Sequence, residues 1–104
     1  MIMKEAKDCQ SIGEVREAID EIDYQILKSF SQRNEYVEAI VKFKHDKHGI
    51  IAGERQVEVL QRRSQWANEL GLDPGTMKKI YKILIDSNIQ KELEIFGNQD
   101  KAKI

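Results

Sequence analysis

An all-α fold of three helices is predicted for this chain of 104 residues. One Pro and six Gly are too few turn formers for a fold of many short strands. Apolar residues recur at spacings of three and four over long stretches, which is the period of an amphipathic helix. The length, without a Gly- or Pro-rich linker, fits one domain over residues 1–104, since a typical domain has about 100 to 200 residues.

The first helix is predicted over residues 12–45. Ser11 and Glu14 have the spacing of a capping box, in which a hydroxyl and a carboxylate accept bonds from free backbone N–H groups. No Pro or Gly follows Glu14 until Gly49, so no helix breaker lies between them. The apolar stripe of this helix consists of Ile19, Ile22, Ile26, Phe30, Val37 and Ile40.

The second and third helices are bounded by residues that favour helix ends. The second, residues 54–70, stops at Gly71, a usual C-terminal cap residue. The third, residues 74–96, has Pro at its first position, directly after the N-cap Asp73. We expect Gly97 to end it.

The first helix is too long for the core of a monomer. Residues 12–45 would span about 50 Å, whereas a compact chain of this size has a radius of gyration of about 13 Å. Three helices cannot cover the whole apolar stripe, so we predict a homodimer with its long helices packed antiparallel about a two-fold axis. A break in the middle of the helix is the alternative.

Two cations lie where the apolar stripe of the first helix should continue. Arg33 and Lys44 occupy these positions, about three turns or about 16 Å apart on one face. Snorkelling, in which the aliphatic stem covers the core and the charge reaches solvent, is the structural alternative. The spacing leaves room between the two cations for one small anionic molecule.

Two more arginines can complete a basic site. Arg16 lies about 25 Å before Arg33 along the helix, too far to share a small ligand with it in the same chain. An antiparallel partner would bring its own Arg16 to the Arg33 and Lys44 region, giving two composite sites per dimer. Arg55, in the first turn of the second helix, is a candidate fourth cation.

The third helix carries polar residues on an apolar stripe. Asn88 and Glu92 follow Leu84 at helical spacing. Either residue could instead lie at the edge of the stripe, on the surface. Because buried unpaired charges are costly, the convergence of these groups with the cations indicates a dicarboxylate ligand or an ion-pair network.

Several other functions are disfavoured. A formal net charge of −1 gives no bulk field for nucleic acid, and no segment approaches the roughly 18 apolar residues that span a membrane. His45 and His48, placed in a loop over residues 45–53, lack the further ligands of a tetrahedral metal site. Cys9 has no basic partner and cannot form an internal disulfide. Without an apolar N-terminal run, the chain is expected to be cytoplasmic.

Five motifs follow one another along the chain: VREAIDEIDYQIL, R..YV from Arg33, FK at Phe43, ER at Glu54, and WANELGLD from Trp66. Their order and spacing resemble the all-helical chorismate mutase family from Asp8 to about Phe96. Within that family, the chain is most similar to the isochorismate pyruvate-lyases of bacterial salicylate (siderophore) biosynthesis. The resemblance implies an intertwined homodimer of three-helix chains.

The resemblance also implies roles for the four cations. Arg16 resembles the arginine that the partner subunit contributes. Arg33 and Arg55 resemble the arginines that engage the substrate carboxylates and neighbouring oxygens. Lys44 resembles the lysine that donates to the ether oxygen whose bond to carbon breaks.

The remaining positions bear on the choice of substrate. By the resemblance, Asn88 and Glu92 line the site, and Glu92 replaces a glutamine that donates to the ether oxygen, so Glu92 must be protonated to donate. Mutases of the family commonly have acidic residues where this chain has Ala52 and Gln56, and the second of these contacts the chorismate 4-hydroxyl. Its absence favours the lyase, whereas Glu92 favours the mutase.

The implied chemistry is pericyclic and uses no cofactor and no metal. We predict an isochorismate pyruvate-lyase that forms salicylate and pyruvate, with weak chorismate mutase activity as a possible side reaction. Two alternatives stay open. One is a chorismate mutase that forms prephenate, and the other is a non-catalytic helical dimer that binds aromatic acids.

Overall fold

The computed structural model describes the backbone of residues 4–102 and the side chains of residues 4–98. The described residues contain helices and no strand, which confirms the all-α prediction. The elements are a 3-10 turn Ala6–Asp8, α1 (Ile12–Ala39), a 3-10 turn Ile40–Phe43, α2 (Lys47–Ile51), α3 (Gly53–Glu69) and α4 (Pro74–Ala102). The chain divides into two compact units, Met1–Glu35 and Tyr36–Ile104, each described by itself below. The organisation as one domain stays a prediction.

The start of α1 agrees with the predicted cap. The Ser11 hydroxyl oxygen accepts the Glu14 N–H at 3.1 Å. The Glu14 carboxylate accepts the N–H of Gln10 at 2.9 Å, one residue further back than in the usual capping box. The Lys4 ammonium lies 3.3 Å from the same carboxylate. Two backbone donors at the helix start are therefore bonded, as the sequence predicts.

The first helix ends earlier than predicted. It stops at Ala39 and tightens into the 3-10 turn Ile40–Phe43, so the prediction of one helix over 12–45 is wrong at its end. Such 3-10 turns are frequent at the ends of α-helices. Here the turn buries Val41 to 1% exposure, which indicates that packing decides the change. The 28 residues of α1 still span about 42 Å.

A short helix occupies most of the segment predicted to be a loop. Residues Lys47–Ile51 form α2, and the Asp46 carboxylate caps it by accepting the Gly49 N–H at 2.7 Å. Ile50 of α2 is buried, and α2 packs against α4. Ala52 joins α2 to α3 in the left-handed region, at φ 36° and ψ 64°.

Helix α3 ends just before Gly71, as the sequence predicts. Gly71 has φ 74°, its N–H bonds the Asn68 carbonyl at 3.2 Å, and the Leu72 N–H bonds the Ala67 carbonyl at 2.8 Å. This pair of bonds is the Schellman motif, in which a left-handed residue closes the helix. Glycine fits here because it has no Cβ to clash in that conformation.

The beginning of α4 agrees with the prediction and its end does not. Asp73 caps the helix by accepting the Thr76 N–H at 2.9 Å and the Thr76 hydroxyl at 2.6 Å. The helix passes through Gly97 to Ala102, so Gly97 does not end it. Gly97 keeps a negative φ, and a glycine inside a helix costs only about 1 kcal/mol relative to Ala.

The buried residues of the described chain all lie in the second unit. They pack where α3, α2 and the second 3-10 turn contact α4. The apolar members are Val41, Ile50, Val59, Ala67 and Ile85, and the charged member is Glu92.

Part of the apolar stripe of α1 is exposed in the single chain. No residue of α1 is buried, and Ile19, Ile22 and Ile26 are each about half exposed at 51%, 47% and 45%. Among the described helices, none is both long and apolar enough to cross a membrane.

Candidate active site

The six predicted site residues are distributed over both units. Arg16 and Arg33 lie on α1 in the first unit. Both are on one continuous helix, so in one chain they stand about 25 Å apart along its axis. Arg16 is exposed, and Arg33 is half-buried and has an interaction partner within the chain. The other four predicted residues belong to the second unit.

Lys44 follows the second 3-10 turn with an extended backbone, at φ −95° and ψ 133°. Its side chain is half-buried, and its Nζ donates to the Gly49 carbonyl oxygen at 3.0 Å. An ammonium group has three protons to donate. One bond to Gly49 therefore fixes the position of the cation and leaves two donors for a ligand.

Gly49 is bonded on both sides by side chains from outside α2. Its N–H donates to Asp46, and its carbonyl accepts from Lys44. A Cβ added at Gly49 would lie 3.4 Å from the Asp46 Oδ1 and 3.8 Å from the Lys44 Cδ. The stem of Lys44 thus runs alongside α2, so the position of its ammonium group depends on the position of α2.

Arg55, in the first turns of α3, forms an exposed ion pair. Its Nη1 lies 2.7 Å from the Glu58 Oε1, and the two side chains are 58% and 56% exposed. A pair at this spacing on a helix surface contributes only about 0.2–0.5 kcal/mol. A ligand carboxylate can therefore replace Glu58 at small cost.

Gln56 uses its side-chain amide as a donor. Its Nε2 donates to the carbonyl oxygen of Ile51 at 2.7 Å, and Ile51 is the last residue of α2. The Gln56 side chain is half-buried. A carboxylate at this position could not make this bond, because an ionised carboxylate only accepts. The structure thus assigns Gln56 a contact that the sequence did not predict.

Asn88 and Glu92 lie one turn apart on α4 and therefore share a face of that helix. Asn88 is half-buried, and Glu92 is only 8% exposed, the one charged side chain that is buried among those described. Both side chains interact with other groups of the chain. The predicted polar interruption of the α4 stripe is therefore inside the packed unit at Glu92, and not at its surface.

An arginine–aromatic cluster that the sequence did not predict joins α3 to α4. The Arg63 guanidinium carbon lies 4.8 Å from the ring centre of Trp66 and 5.5 Å from that of Tyr81. Contacts of this type contribute about 0.5–1 kcal/mol at exposed sites. The cluster stabilises the α3–α4 packing. The helical spacing of Arg63 and Trp66 on α3 is the sequence signal that could have predicted their contact.

The chemistry offered by the second unit consists of an ammonium, a guanidinium, an amide and a buried carboxyl group. Such groups bind anions and stabilise negative charge that develops on oxygen. In the part of the chain that is described, no three His, Cys, Asp or Glu side chains are grouped as a metal site requires. The arrangement suits binding and orienting an anionic ligand.

Comparison with known proteins identifies the family. The family model described as chorismate mutase type II matches residues 15–93 of this chain. The chain is 35% identical over 92 residues to an isochorismate pyruvate lyase of Pseudomonas aeruginosa, covering 88% of this chain and 91% of that protein. It therefore belongs to the chorismate mutase type II family, an enzyme family, which confirms the resemblance.

Two further relatives carry other names. A chorismate mutase of Methanocaldococcus jannaschii is 33% identical over 97 residues, with 88% of this chain and 97% of that protein covered. A T-protein of Haemophilus influenzae is 29% identical over 101 residues, which is 91% of this chain but 26% of that protein. A relative named as an isochorismate pyruvate lyase and one named as a chorismate mutase thus each match 88% of this chain.

Proposed function

We propose that this protein is an isochorismate pyruvate-lyase, which forms salicylate and pyruvate. The observation that carries the proposal is the Gln56 side chain, an amide whose donor is bonded to the Ile51 carbonyl. Mutases of the family commonly have an acidic residue at this position, where it contacts the chorismate 4-hydroxyl. The similarity to the Pseudomonas lyase supports the same choice.

The proposed reaction is a single pericyclic step that needs no cofactor. A C–H bond of the ring, the C–O bond between the ring and the ether oxygen, and the enol C=C π bond break. A C–H bond forms at the terminal carbon of the enolpyruvyl group, the ether oxygen becomes the carbonyl oxygen of pyruvate, and a new C=C bond completes the aromatic ring of salicylate. The protein holds the side chain over the ring in its reactive conformer and stabilises charge on the departing ether oxygen. Electrons and atoms balance without an oxidant or a reductant.

In this mechanism, each predicted residue has one task. Lys44 donates to the ether oxygen with a proton that its bond to Gly49 leaves available. Arg33 and Arg55 bind the substrate carboxylates, and Asn88 orients the ligand from α4. Glu92, buried on α4, lines the site, and a bond from it to the same ether oxygen requires its carboxyl group to carry a proton.

The proposal includes a homodimer in which each site uses Arg16 of the partner subunit. The partly exposed stripe at Ile19, Ile22 and Ile26 supports this arrangement, because a second copy of α1 would bury it. The length of α1 supports it too, since Arg16 and Arg33 of one chain are too far apart to bind one small molecule. A cytoplasmic location stays part of the proposal.

A direct assay tests the proposed function. The purified protein is incubated with isochorismate, and salicylate is followed by its fluorescence. Chorismate is offered in a parallel reaction, and prephenate is measured. We expect salicylate at a much higher kcat/KM than prephenate. Prephenate without salicylate would establish the mutase instead, and no product from either would favour a dimer that only binds aromatic acids.

Chorismate mutase is the second candidate. Glu92 favours it, because some mutases use glutamate where the lyases of this family have glutamine, and the Methanocaldococcus relative bears that name. A weak mutase activity beside the lyase is compatible with the proposal, since both reactions use the same donors to the ether oxygen.

A further inference from the structure

The short helix α2 is held by side chains that lie outside it. At its beginning, Asp46 accepts the Gly49 N–H at 2.7 Å. Towards its end, Lys44 donates to the Gly49 carbonyl at 3.0 Å, and Gln56 donates to the Ile51 carbonyl at 2.7 Å. Because helices this short are not stable in water by themselves, these three bonds and packing against α4 decide where α2 lies.

The junction after α2 needs such an anchor. Ala52 adopts the left-handed region at φ 36°, which L-residues other than Asn and Asp seldom adopt. Two backbone hydrogen bonds close the turn. The Ala52 N–H donates to the His48 carbonyl at 3.0 Å, and the Gln56 N–H donates to the Ala52 carbonyl at 3.1 Å. The Gln56 side chain then reaches back across this turn to Ile51.

We infer that Gln56 is a positioning residue for Lys44 and acts on it through α2. The inference rests on the proposed function, in which Lys44 donates to the breaking ether bond. The Gln56 amide holds the last carbonyl of α2, α2 holds the Gly49 carbonyl, and that carbonyl orients the Lys44 ammonium. Loss of the first bond releases the helix end and lets the ammonium move.

The bond between Gln56 and Ile51 also bears on which substrate a residue at position 56 favours. An acidic residue there would not only add an acceptor for a substrate hydroxyl. It would also remove the donor to Ile51 and set a negative charge beside that carbonyl oxygen. We therefore expect Gln56→Glu to lower turnover of isochorismate without creating an efficient mutase.

The experiment compares two substitutions at Gln56 by steady-state kinetics with isochorismate. Gln56→Met keeps the length and removes the donor, whereas Gln56→Lys keeps a donor that can reach Ile51. We expect Gln56→Met to lower kcat about tenfold with KM nearly unchanged, since an interaction made in the transition state is weakened. Gln56→Lys should stay within about threefold of the wild type. Gln61→Met, at an exposed glutamine of α3, is the matched control.

A second arm separates positioning from a general structural role. In a Lys44→Ala background, Gln56→Met should cause no further loss, because the residue through which it acts is gone. An additive loss in the double variant, or wild-type kcat in Gln56→Met alone, would overturn the inference. If Gln56→Met does not fold, a loss of activity in Gln56→Lys equal to that in Gln56→Glu would overturn it as well.

Amide hydrogen exchange distinguishes failure of this inference from failure of the proposed function. If the wild type forms no salicylate from isochorismate, the proposed function fails. Faster exchange of the Ala52 N–H in Gln56→Met, with the Leu72 N–H unchanged, would still support the anchor on α2. Unchanged exchange at Ala52 would overturn it.

Discussion

Lys44 is the side chain whose removal should change turnover most. It is half-buried and oriented by the Gly49 carbonyl, so it can meet the developing charge without reorganisation. We expect Lys44→Ala to lower kcat by about 10²–10³, the cost of one preorganised donor, and to leave the fold intact. Steady-state kinetics and circular dichroism check this.

The control for that variant is Lys78→Ala, at an exposed lysine of α4 outside the proposed site. It should have wild-type kinetics. A Lys44→Ala protein with unchanged kcat would refute the role assigned to Lys44.

The caps of α1 and α4 give folding a predictable pH dependence. Hydrogen bonds from the Thr76 hydroxyl and N–H lower the pKa of Asp73, and the Gln10 N–H followed by Lys4 lowers the pKa of Glu14. A carboxyl group with a lowered pKa in the folded state stabilises it above the unfolded pKa. This contribution is lost as the pH falls through the folded pKa.

We therefore expect the urea midpoint to fall on acidification below about pH 4, where these carboxyl groups take up protons. Asp73→Asn keeps a cap but cannot titrate, so it should lower the neutral midpoint less than Asp73→Ala does and should reduce the acid dependence. Asp73→Ala should lower the neutral midpoint. Equal pH profiles for the wild type and Asp73→Asn would contradict this account.

At the scale of the elements, the sequence predicted three helix ends that are determined by local side-chain or backbone chemistry. Ser11 caps α1, Gly71 closes α3 in the left-handed region, and Asp73 caps α4. Each of these ends depends on bonds within a few residues. Local pattern was therefore sufficient.

The differences arise where packing over longer distances decides. The change to a 3-10 turn after Ala39 accompanies the burial of Val41, and α2 forms where Ile50 is buried. Neither burial is visible in a local pattern. Asp46, in N-cap position before α2, was a usable signal for that helix.

Gly97 tests whether α4 continues as described. A Cβ at Gly97 meets nothing within 4 Å and the residue has a negative φ, so Gly97→Ala should raise the free energy of unfolding by about 0.5–1 kcal/mol. Urea denaturation measures this. Gly71→Ala is the matched opposite, because its φ of 74° strains any side chain and should lower stability. Destabilisation by Gly97→Ala would contradict the helix at this position.

At the scale of the whole molecule, the sequence proposed six candidate site residues but did not predict the contacts that hold side chains around Lys44. The bond of Lys44 to Gly49 and that of Gln56 to Ile51 both depend on α2. Since α2 was not predicted, neither contact was. The assembly of all six residues into one site stays a prediction.

The proposed dimer makes a prediction about the α1 stripe. Ile22→Asp places a carboxylate in the middle of it, and burying this unpaired charge costs several kcal/mol. We expect at least about 100-fold weaker association and loss of turnover, measured by analytical ultracentrifugation and the salicylate assay. Asn34→Asp adds the same charge at an exposed position of α1 and should change neither. An active dimer with Ile22→Asp would exclude the stripe as the interface.

Mixing two inactive variants tests the shared site most directly. Arg16→Ala and Arg33→Ala are each expected to be inactive, since every site then lacks one cation. A mixed dimer, however, has one site with both arginines and one with neither. Co-refolding equal amounts should therefore restore about a quarter of wild-type activity, because half of the dimers are mixed and each has one of two sites intact. No recovery in a mixture that forms mixed dimers would contradict the claim that two copies of this chain build each site.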